Sequence, residues 1–234
     1  MKIALLGYGR MGRTIDQLAT AAGDEIVLRV GSANAADLTA DNLRRADVAI
    51  DFSLPHTAFD NVSACLRAGV PVVCGTTAWL DRLEEAKQLC AAQKGAFLYA
   101  SNFSIGVNIF FAVNRYLAGL MQEQPQYAVR VEETHHTAKL DAPSGTAKTL
   151  AEALPPGTPI TSHRIDPAPG THVVSYQSAV DSIEITHTAH SREGFAKGAL
   201  QAARWLVGKE GCFGMSDVLG LRTADALMPS NKKL

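Results

Sequence analysis

The chain has little of anything that marks a specialised environment. Its 234 residues include only 4 cysteines, and Cys65, Cys74, Cys90 and Cys212 lie far apart without a CxxC pair. That usage argues against a disulfide-stapled scaffold and a zinc ribbon, and points to reduced thiols. Neither sign of charge is in surplus. Lys+Arg at 22 against Asp+Glu at 23 leaves a net charge of −1, so no basic excess exists for sequence-independent nucleic-acid binding, and no nucleic-acid partner is expected. Long hydrophobic runs are missing as well. Stretches such as Ile109 to Val113 are far too short to cross a bilayer. Met1 to Leu6 runs into Gly7, which is not the pattern of a signal peptide. A cytoplasmic protein without a membrane partner is expected. Glycine at 19 and proline at 10 are ordinary, so neither disorder nor a fibrous repeat is indicated.

The first hundred residues alternate between strand and helix periodicities. Lys2–Leu6, Glu25–Val30, Asp47–Phe52, Pro71–Cys74 and Ala96–Tyr99 read as strands. Met11–Ala22, His56–Ala68 and Leu80–Gln93 between them read as helices with glycine stops at Gly23, Gly69 and Gly95. That spacing means βαβ units, a buried parallel sheet and a doubly wound topology. After Asn102 the pattern changes. Ile105–Met121 predicts one long apolar helix, and Tyr127–Glu133 an alternating, half-exposed strand. Residues 155–169 hold five of the ten prolines and read as an irregular loop. Val173–Ser178 and Ser182–His187 predict antiparallel neighbours, and Phe195, Ala199, Ala202, Ala203 and Leu206 share one face of a last helix. Two domains follow: 1–103, with 215–234 returning to it, and 104–214.

Gly7-Tyr8-Gly9-Arg10-Met11-Gly12 fits G-x-G-x-x-G. It follows an apolar strand and opens a helix, the context that makes the pattern a dinucleotide loop. Gly7 permits the tight turn, Gly9 a close approach of pyrophosphate, and Gly12 close helix–strand packing. The helix N-terminus then faces the phosphates. The acidic residue that would bond an NAD ribose is missing at the end of the second strand, where Val30-Gly31-Ser32 stands. Arg29, Ser32 and Arg10 are close enough in sequence to receive a 2′-phosphate, so NADPH is expected to be tolerated, or even preferred to NADH. Gly75-Thr76-Thr77 and Ser101-Asn102-Phe103 follow the fourth and fifth strands, where ligands of open α/β sheets sit.

The most informative stretch is Glu132-Glu133-Thr134-His135-His136-Thr137-Ala138-Lys139, continuing to Ala147 through Asp141-Ala142-Pro143-Ser144-Gly145-Thr146. Two histidines and a lysine lie together, followed by a helix start at which Ser144, Gly145 and Thr146 offer donors suited to a carboxylate. Histidine exchanges protons near neutrality and lysine supplies a compact cation, a pairing suited to an anionic substrate that must be protonated. A solvated turn with a helix cap is the bland alternative. For a metal site, no acidic or cysteine partner has convincing spacing, and no metal is expected.

This stretch resembles the E-x-H-H-x-x-K-x-D-A-P-S-G-T-A signature of 4-hydroxy-tetrahydrodipicolinate (dihydrodipicolinate) reductases of lysine synthesis. The resemblance extends through GYGRMGR at 7–13, AIDFSLP at 49–55, CGTT at 74–77, SNFSIGVN at 101–108, IEITHTAHSREGFAKGAL at 183–200 and WLVGKEGCFGMSDVLGL at 205–221. It implies an α/β fold: an N-terminal Rossmann-type parallel sheet plus a C-terminal α+β substrate domain with an open mixed sheet. It also implies NAD(P)H-dependent reduction of a small dicarboxylate heterocycle. Carried over by position, His135 is the proton donor and acceptor and Lys139 a second proton donor. His136, Ser144, Gly145, Thr146 and Arg192 bind substrate, with Gly145 and Thr146 holding a carboxylate. Gly7 to Gly12, Gly75 to Thr77 and Ser101 to Ser104 contact the cofactor. An arginine common after the third strand in such proteins is replaced by Leu54. Residues 167–182 are shorter than usual and are read as lacking an R-x-G-x-x-G-x-H segment of the tetramer core. A homotetramer is expected, with a dimer as the alternative. Two competing readings are another NAD(P)-dependent oxidoreductase, such as an amino-acid or diaminopimelate dehydrogenase, and a non-catalytic dinucleotide sensor. The intact His135, His136, Lys139 and Ser144–Thr146 set opposes the sensor.

Overall fold

The computed structural model describes residues 1–191 and 193–221. In chain order its elements are β1 (Lys2–Leu6), α1 (Arg10–Ala21), β2 (Glu25–Val30), α2 (Ala40–Leu43), β3 (Val48–Asp51), α3 (Pro55–Arg67), β4 (Val72–Cys74), α4 (Leu83–Ala92) and β5 (Ala96–Tyr99). They continue as α5 (Ile105–Met121), β6 (Ala128–His135), α6 (Gly145–Ala151), β7 (Ile160–Arg164), β8 (Thr171–Gln177), β9 (Ser182–Thr188), α7 (Glu193–Leu206), β10 (Gly211–Phe213) and α8 (Met215–Val218). Among the described residues no helix is long and apolar enough to cross a membrane.

The chain divides into two compact units, the first made of Met1–Ile105 and Glu193–Gly220. Its sheet has six strands in the order β10-β5-β4-β3-β1-β2, all paired in parallel. Alternate residues face opposite sides of a strand, and here both sides are buried. Ile3 and Leu5 join a core with α1 and α7, while Ala4 and Leu6 join one with α3 and α4. This is why the strands read as nearly unbroken apolar runs. The strand order reverses at β1, whose neighbours are β2 and β3, so a crevice opens outside the carboxyl ends of β1 and β3.

The expected domain limits differ from this division. The chain returns to the first unit at Glu193, not at 215, and residues 222–234 lie outside the described ones. The face that α7 buries is built largely of small residues: Ala196, Gly198, Ala199, Ala202 and Ala203. That face lets the helix lie close on a sheet, but periodicity alone cannot say which sheet.

The second unit comprises the described residues of Gly106–Arg192. Its sheet runs β7-β6-β8-β9, with β7 parallel to β6 and the other pairs antiparallel, so it is mixed. Residues of α5 and α6 pack with Val131, Val174 and Tyr176 on one face. The Asn114 side-chain amide on α5 donates to the Leu150 carbonyl at 2.9 Å. The stretch expected to be an irregular loop, 155–169, contains strand β7. Its prolines flank the strand without interrupting it, and the Pro159 carbonyl accepts the Val131 N–H at 3.0 Å. Proline at an edge-strand boundary removes no ladder donor, so counting prolines masked a short polar strand.

Gly198 gives the sharpest test of this packing. A Cβ there would collide with the backbone carbonyl of Phe103. Gly198→Ala gains about 1 kcal/mol of helix propensity but forces main chain apart, which costs about 1–3 kcal/mol or more. The expected outcome is net destabilisation in urea unfolding; a stabilised variant would contradict the packing.

Candidate active site

In the first unit the glycines behave as their spacing demands. Gly7 has φ +93°, and a Cβ there would strike the Phe52 carbonyl; one on Gly12 would strike the Gly7 carbonyl. Gly9 is exposed, with no atom near the position of a Cβ. The turn therefore needs Gly7 and Gly12 for its own shape, while Gly9 leaves clear backbone beside the start of α1, as a bound pyrophosphate requires. The first turn of α1 carries no acidic residue to compete for its N–H groups.

Tyr8 donates its hydroxyl to Asp16 at 2.6 Å, and Arg13 lies 5.7 Å from its ring. Arg29, a candidate phosphate receiver, is instead committed to Asp16 through two hydrogen bonds of 2.6 and 3.1 Å. That guanidinium holds the Asp16 carboxyl below its ordinary range against the opposing effect of burial. Arg10 and Ser32 are exposed, and Met11 packs on the core. Of the basic groups named near the ribose end, Arg29 is thus spent on structure.

The loops after β3 and β4 meet over one buried carboxylate. Asp51 accepts from Thr76 Oγ1 at 2.6 Å, Asn61 Nδ2 at 2.8 Å and Cys74 Sγ at 3.3 Å. The same Thr76 hydroxyl accepts the Ser53 N–H at 2.8 Å. Burial pushes the Asp51 pKa up, and these donors oppose it. Thr76 is therefore a loop latch, while Thr77 and Ser101 are exposed. Asn102 Oδ1 accepts the Ser104 N–H at 2.8 Å. Phe103, expected among the cofactor contacts, buries its side chain edge-on against Phe52, with centroids 5.5 Å apart.

In the second unit the site is assembled by strand register. Val131, Glu133 and His135 alternate onto the buried face of β6. Directly opposite Glu133 stand Ser162 on β7 and His172 on β8; His172 in turn faces His187 on β9. One row across the sheet therefore reads Ser162, Glu133, His172, His187, with Arg164 and His135 paired in the next row. Facing residues in adjacent strands have Cβ atoms about 5 Å apart, so the row forces these side chains together.

Glu133 is fully buried and well supplied with donors. Ser162 Oγ donates at 2.7 Å, Ser144 N–H at 3.0 Å and Arg164 Nη2 at 3.2 Å, all to Oε1. Burial pushes this carboxyl up, but hydrogen bonds from Ser144, Ser162 and Arg164 outweigh it and bring the pKa down to about 2. Ser144 also caps α6, its hydroxyl accepting the Ala147 N–H at 3.2 Å, and that hydroxyl meets His172 Nε2 at 3.2 Å. His135 and His172 pack as an edge-to-face pair, centroids 5.0 Å apart. Burial, then the neighbouring His135, push His172 down to about 4. His135 is also lowered, chiefly by burial; Glu133 opposes this, and Lys139 and Arg164 reinforce it.

Lys139 donates to Asp141 at 2.6 Å, and Arg164 pins the turn by donating to the carbonyls of Lys139 and Asp141 at 3.2 and 2.6 Å. Thr137 is tied to Asp166 through both its N–H and its hydroxyl. His136 is half-buried, and its carbonyl accepts the Lys139 N–H at 3.1 Å. Gly145 is exposed with open space at its Cβ position. The N–H groups of Gly145 and Thr146 precede the hydrogen-bond ladder of the helix. Arg192 lies outside the described residues.

Sequence reasoning left Glu133 without a role and missed Ser162, Arg164, His172 and Gly170. Gly170 has φ +147°, and a Cβ there would sit 3.1 Å from His135 Nε2. A signal was available, since Gly170-Thr171-His172 retains the final G-x-H of the segment read as lacking. Among the described residues, Glu133, His135 and His172 also bring three possible ligand atoms within 4.8 Å of one another. The carboxylate partner that spacing did not reveal is two residues upstream, on the same strand face.

The buried histidine sets an acid dependence. An ordinary histidine takes up its proton near 6.5, while His172 in the folded chain resists until about 4. Its contribution is complete above 6.5 and is lost as pH falls to about 4, by up to about 3 kcal/mol. His135 and His187 shift in the same direction. Glu133 extends the loss from its ordinary 4.5 towards about 2. Urea unfolding of His172→Gln should lose less stability between pH 6.5 and 4 than the unmodified chain; equal slopes would refute the assignment.

Comparison with known proteins agrees in both halves of the chain. The family model described as dihydrodipicolinate reductase, N-terminus, matches residues 1–103, and that described as dihydrodipicolinate reductase, C-terminus, matches residues 106–219. The chain is 48% identical over 237 residues to the 4-hydroxy-tetrahydrodipicolinate reductase of Christiangramia forsetii, covering 94% of this chain and 98% of that one. It is 34% identical over 253 residues to the enzyme of the same name from Methanoregula boonei, covering 94% and 98%. Among solved structures, a dipicolinate-bound dihydrodipicolinate reductase from Paenisporosarcina sp. TG-14 superposes with a TM-score of 0.75 at 21% identity, over 93% of this chain and 98% of that chain, which shows the shared fold. Matched in both halves and at 48% identity over most of its length, the chain belongs to the dihydrodipicolinate reductase family.

Proposed function

We propose that this protein reduces 4-hydroxy-tetrahydrodipicolinate, or its dehydrated form, to tetrahydrodipicolinate in the diaminopimelate route to lysine. The observation that carries the reading is the match of both family models across the chain, with the His135–Lys139 turn intact. A reduced nicotinamide dinucleotide, NADPH or NADH, supplies the hydride when bound, and the Gly7–Gly12 turn with its clear Gly9 backbone supports that fit. Tyr8, Arg10, Met11, Ser32, Gly75, Thr76, Thr77, Ser101, Asn102 and Ser104 complete the proposed cofactor surface. Phe103 contributes by shaping that loop from the core.

The hydroxylated form first loses its hydroxyl and a ring proton as water, which gives the conjugated C=C–C=N system of the dehydrated form. Hydride addition to that system leaves a nitrogen-stabilised anion that must take up a proton. The first-turn donors of Gly145 and Thr146, with Ser144 fixing the helix start, receive one substrate carboxylate. His136 and Arg192 are the further substrate contacts. Lys139 neutralises part of the second negative charge and acts as an additional proton donor. His135 is the principal donor. Its burial favours the neutral ring in the free protein, and the arriving dianion raises its proton affinity because a nearby opposite charge stabilises imidazolium. The catalytic step as proposed uses no metal ion. We also place the protein in the cytoplasm, a reading supported by four free thiols. We take it to be a homotetramer, with a dimer as the alternative that sedimentation distinguishes.

Three experiments test this reading. Coupled to dihydrodipicolinate synthase, the protein should consume NADPH and NADH at rates within about tenfold of each other, roughly 1.4 kcal/mol. Ammonia release from an amino acid, without synthase-dependent turnover, would instead identify a dehydrogenase. His135→Ala or Lys139→Ala should each lower turnover by about 10²–10⁴-fold, the usual worth of a positioned proton donor; near-normal rates in both would sink the assignment. Gly170→Ala places a carbon 3.1 Å from His135 Nε2, displacing the ring by a few tenths of an ångström, and should cut kcat by about tenfold, short of the roughly 10²-fold of a full ångström. Unchanged kinetics there would show that the ring is not held from that side.

A further inference from the structure

We propose that Glu133, His135 and His172 form a site for a borderline divalent transition-metal ion, Zn²⁺ foremost, whose occupation removes His135 from proton transfer. Glu133 Oε2 lies 3.4 Å from His135 Nδ1 and 3.7 Å from His172 Nε2, and all three atoms fall within 4.8 Å of one another. Tetrahedral zinc with ligands at about 2.0–2.2 Å separates its ligand atoms by roughly 3.3–3.5 Å. One pair already has that spacing; the others must close by up to about 1.5 Å, and His172 Nε2 exchanges its 3.2 Å contact with the Ser144 hydroxyl for the ion.

The two oxygens of Glu133 are unequally used. Oε1 takes Ser162 and Arg164, while Oε2 receives the Ser144 backbone N–H only at 3.2 Å and is turned towards the two rings. Arg164 therefore holds the carboxylate through Oε1, which leaves Oε2 to the rings. His135 Nδ1 is buried without a hydrogen-bond partner, so a polar atom facing the carboxylate is unsatisfied. Burial without compensation is costly, and coordination would satisfy this atom.

The ligands stand on paired strands of one sheet, Glu133 directly opposite His172, so the donor set is rigid. Two imidazoles and one carboxylate leave a fourth position open, as in zinc sites that admit water. This set favours zinc or copper over magnesium and calcium, which prefer six or more oxygen ligands in larger cages. The cations Arg164 and Lys139 oppose an incoming ion, but each is already paired with a carboxylate, Arg164 with Glu133 and Lys139 with Asp141. A ring whose Nδ1 lone pair is on a metal cannot become imidazolium. The inhibitory half of the proposal rests on the reductase reading; the binding half does not.

The test begins with full-length protein stripped by EDTA and freed of chelator, without substrate or dinucleotide. Titration with Co²⁺ should produce visible ligand-field bands of four-coordinate cobalt that saturate at one ion per chain and disappear on addition of Zn²⁺ but not Mg²⁺. His172→Gln should weaken Co²⁺ binding at least tenfold, while Cys212→Ser should not. Should His172→Gln fail to fold, X-ray absorption of the zinc-loaded unmodified chain should count two imidazoles. No saturable binding, undiminished affinity in a folded His172→Gln, or fewer than two imidazoles would overturn the site. One equivalent of Zn²⁺ should abolish coupled turnover, with EDTA restoring it; full turnover at full occupancy would overturn the inhibition. Absence of turnover in metal-free protein would count against the reductase reading alone.

Discussion

A buried carboxylate cannot stay charged unless donors surround it, and Glu133 imposes that constraint on the whole second unit. Its donors come from two separate segments: Ser162 and Arg164 from β7, and Ser144 from the start of α6. Satisfying one charge thereby aligns an edge strand and starts a helix. The same Arg164 reaches on to the carbonyls of Lys139 and Asp141, so the Lys139–Asp141 turn is anchored to the carboxylate that faces His135.

The first unit has a counterpart at its carboxyl edge. Asp51 collects Thr76, Asn61 and Cys74, and through Thr76 the backbone of Ser53. The two carboxyls differ in outcome. Hydrogen bonds from Ser144, Ser162 and Arg164 outweigh burial at Glu133 and drive it down, whereas at Asp51 burial outweighs its neutral donors and drives it up. In both places a buried acid joins loops that lie far apart in sequence. The glycines beside Asp51 serve a different end, since Gly7 and Gly12 are filled by main chain while Gly9 is left clear.

Much of this was legible from residue order. The parallel strands and the helices between them follow from hydrophobic period, and the dinucleotide turn from its place between β1 and α1. The His135-to-Thr146 stretch shows by composition alone groups suited to proton transfer and anion binding. Other features depend on partners that no local pattern names. β7 is short, polar and flanked by prolines, so its strand character appears only through pairing with β6. Arg29 reads as a free phosphate receiver until Asp16 is seen against it, and no local pattern shows that the Phe103 ring packs on Phe52.

Local periodicity and turn chemistry act over a few residues, and so the sequence alone determined the alternating α/β half, the glycine turn and the chemical character of the histidine–lysine loop. Register, burial and the pairing of charges act across the chain, and only the tertiary structure decided those. It brought α7 and β10 back to the first sheet. It also set His172 opposite Glu133 and backed His135 with Gly170. The physical reason is that a side chain's proton affinity and direction depend on what lies within a few ångströms of it, and in this protein those neighbours come from strands 29 to 39 positions away in sequence.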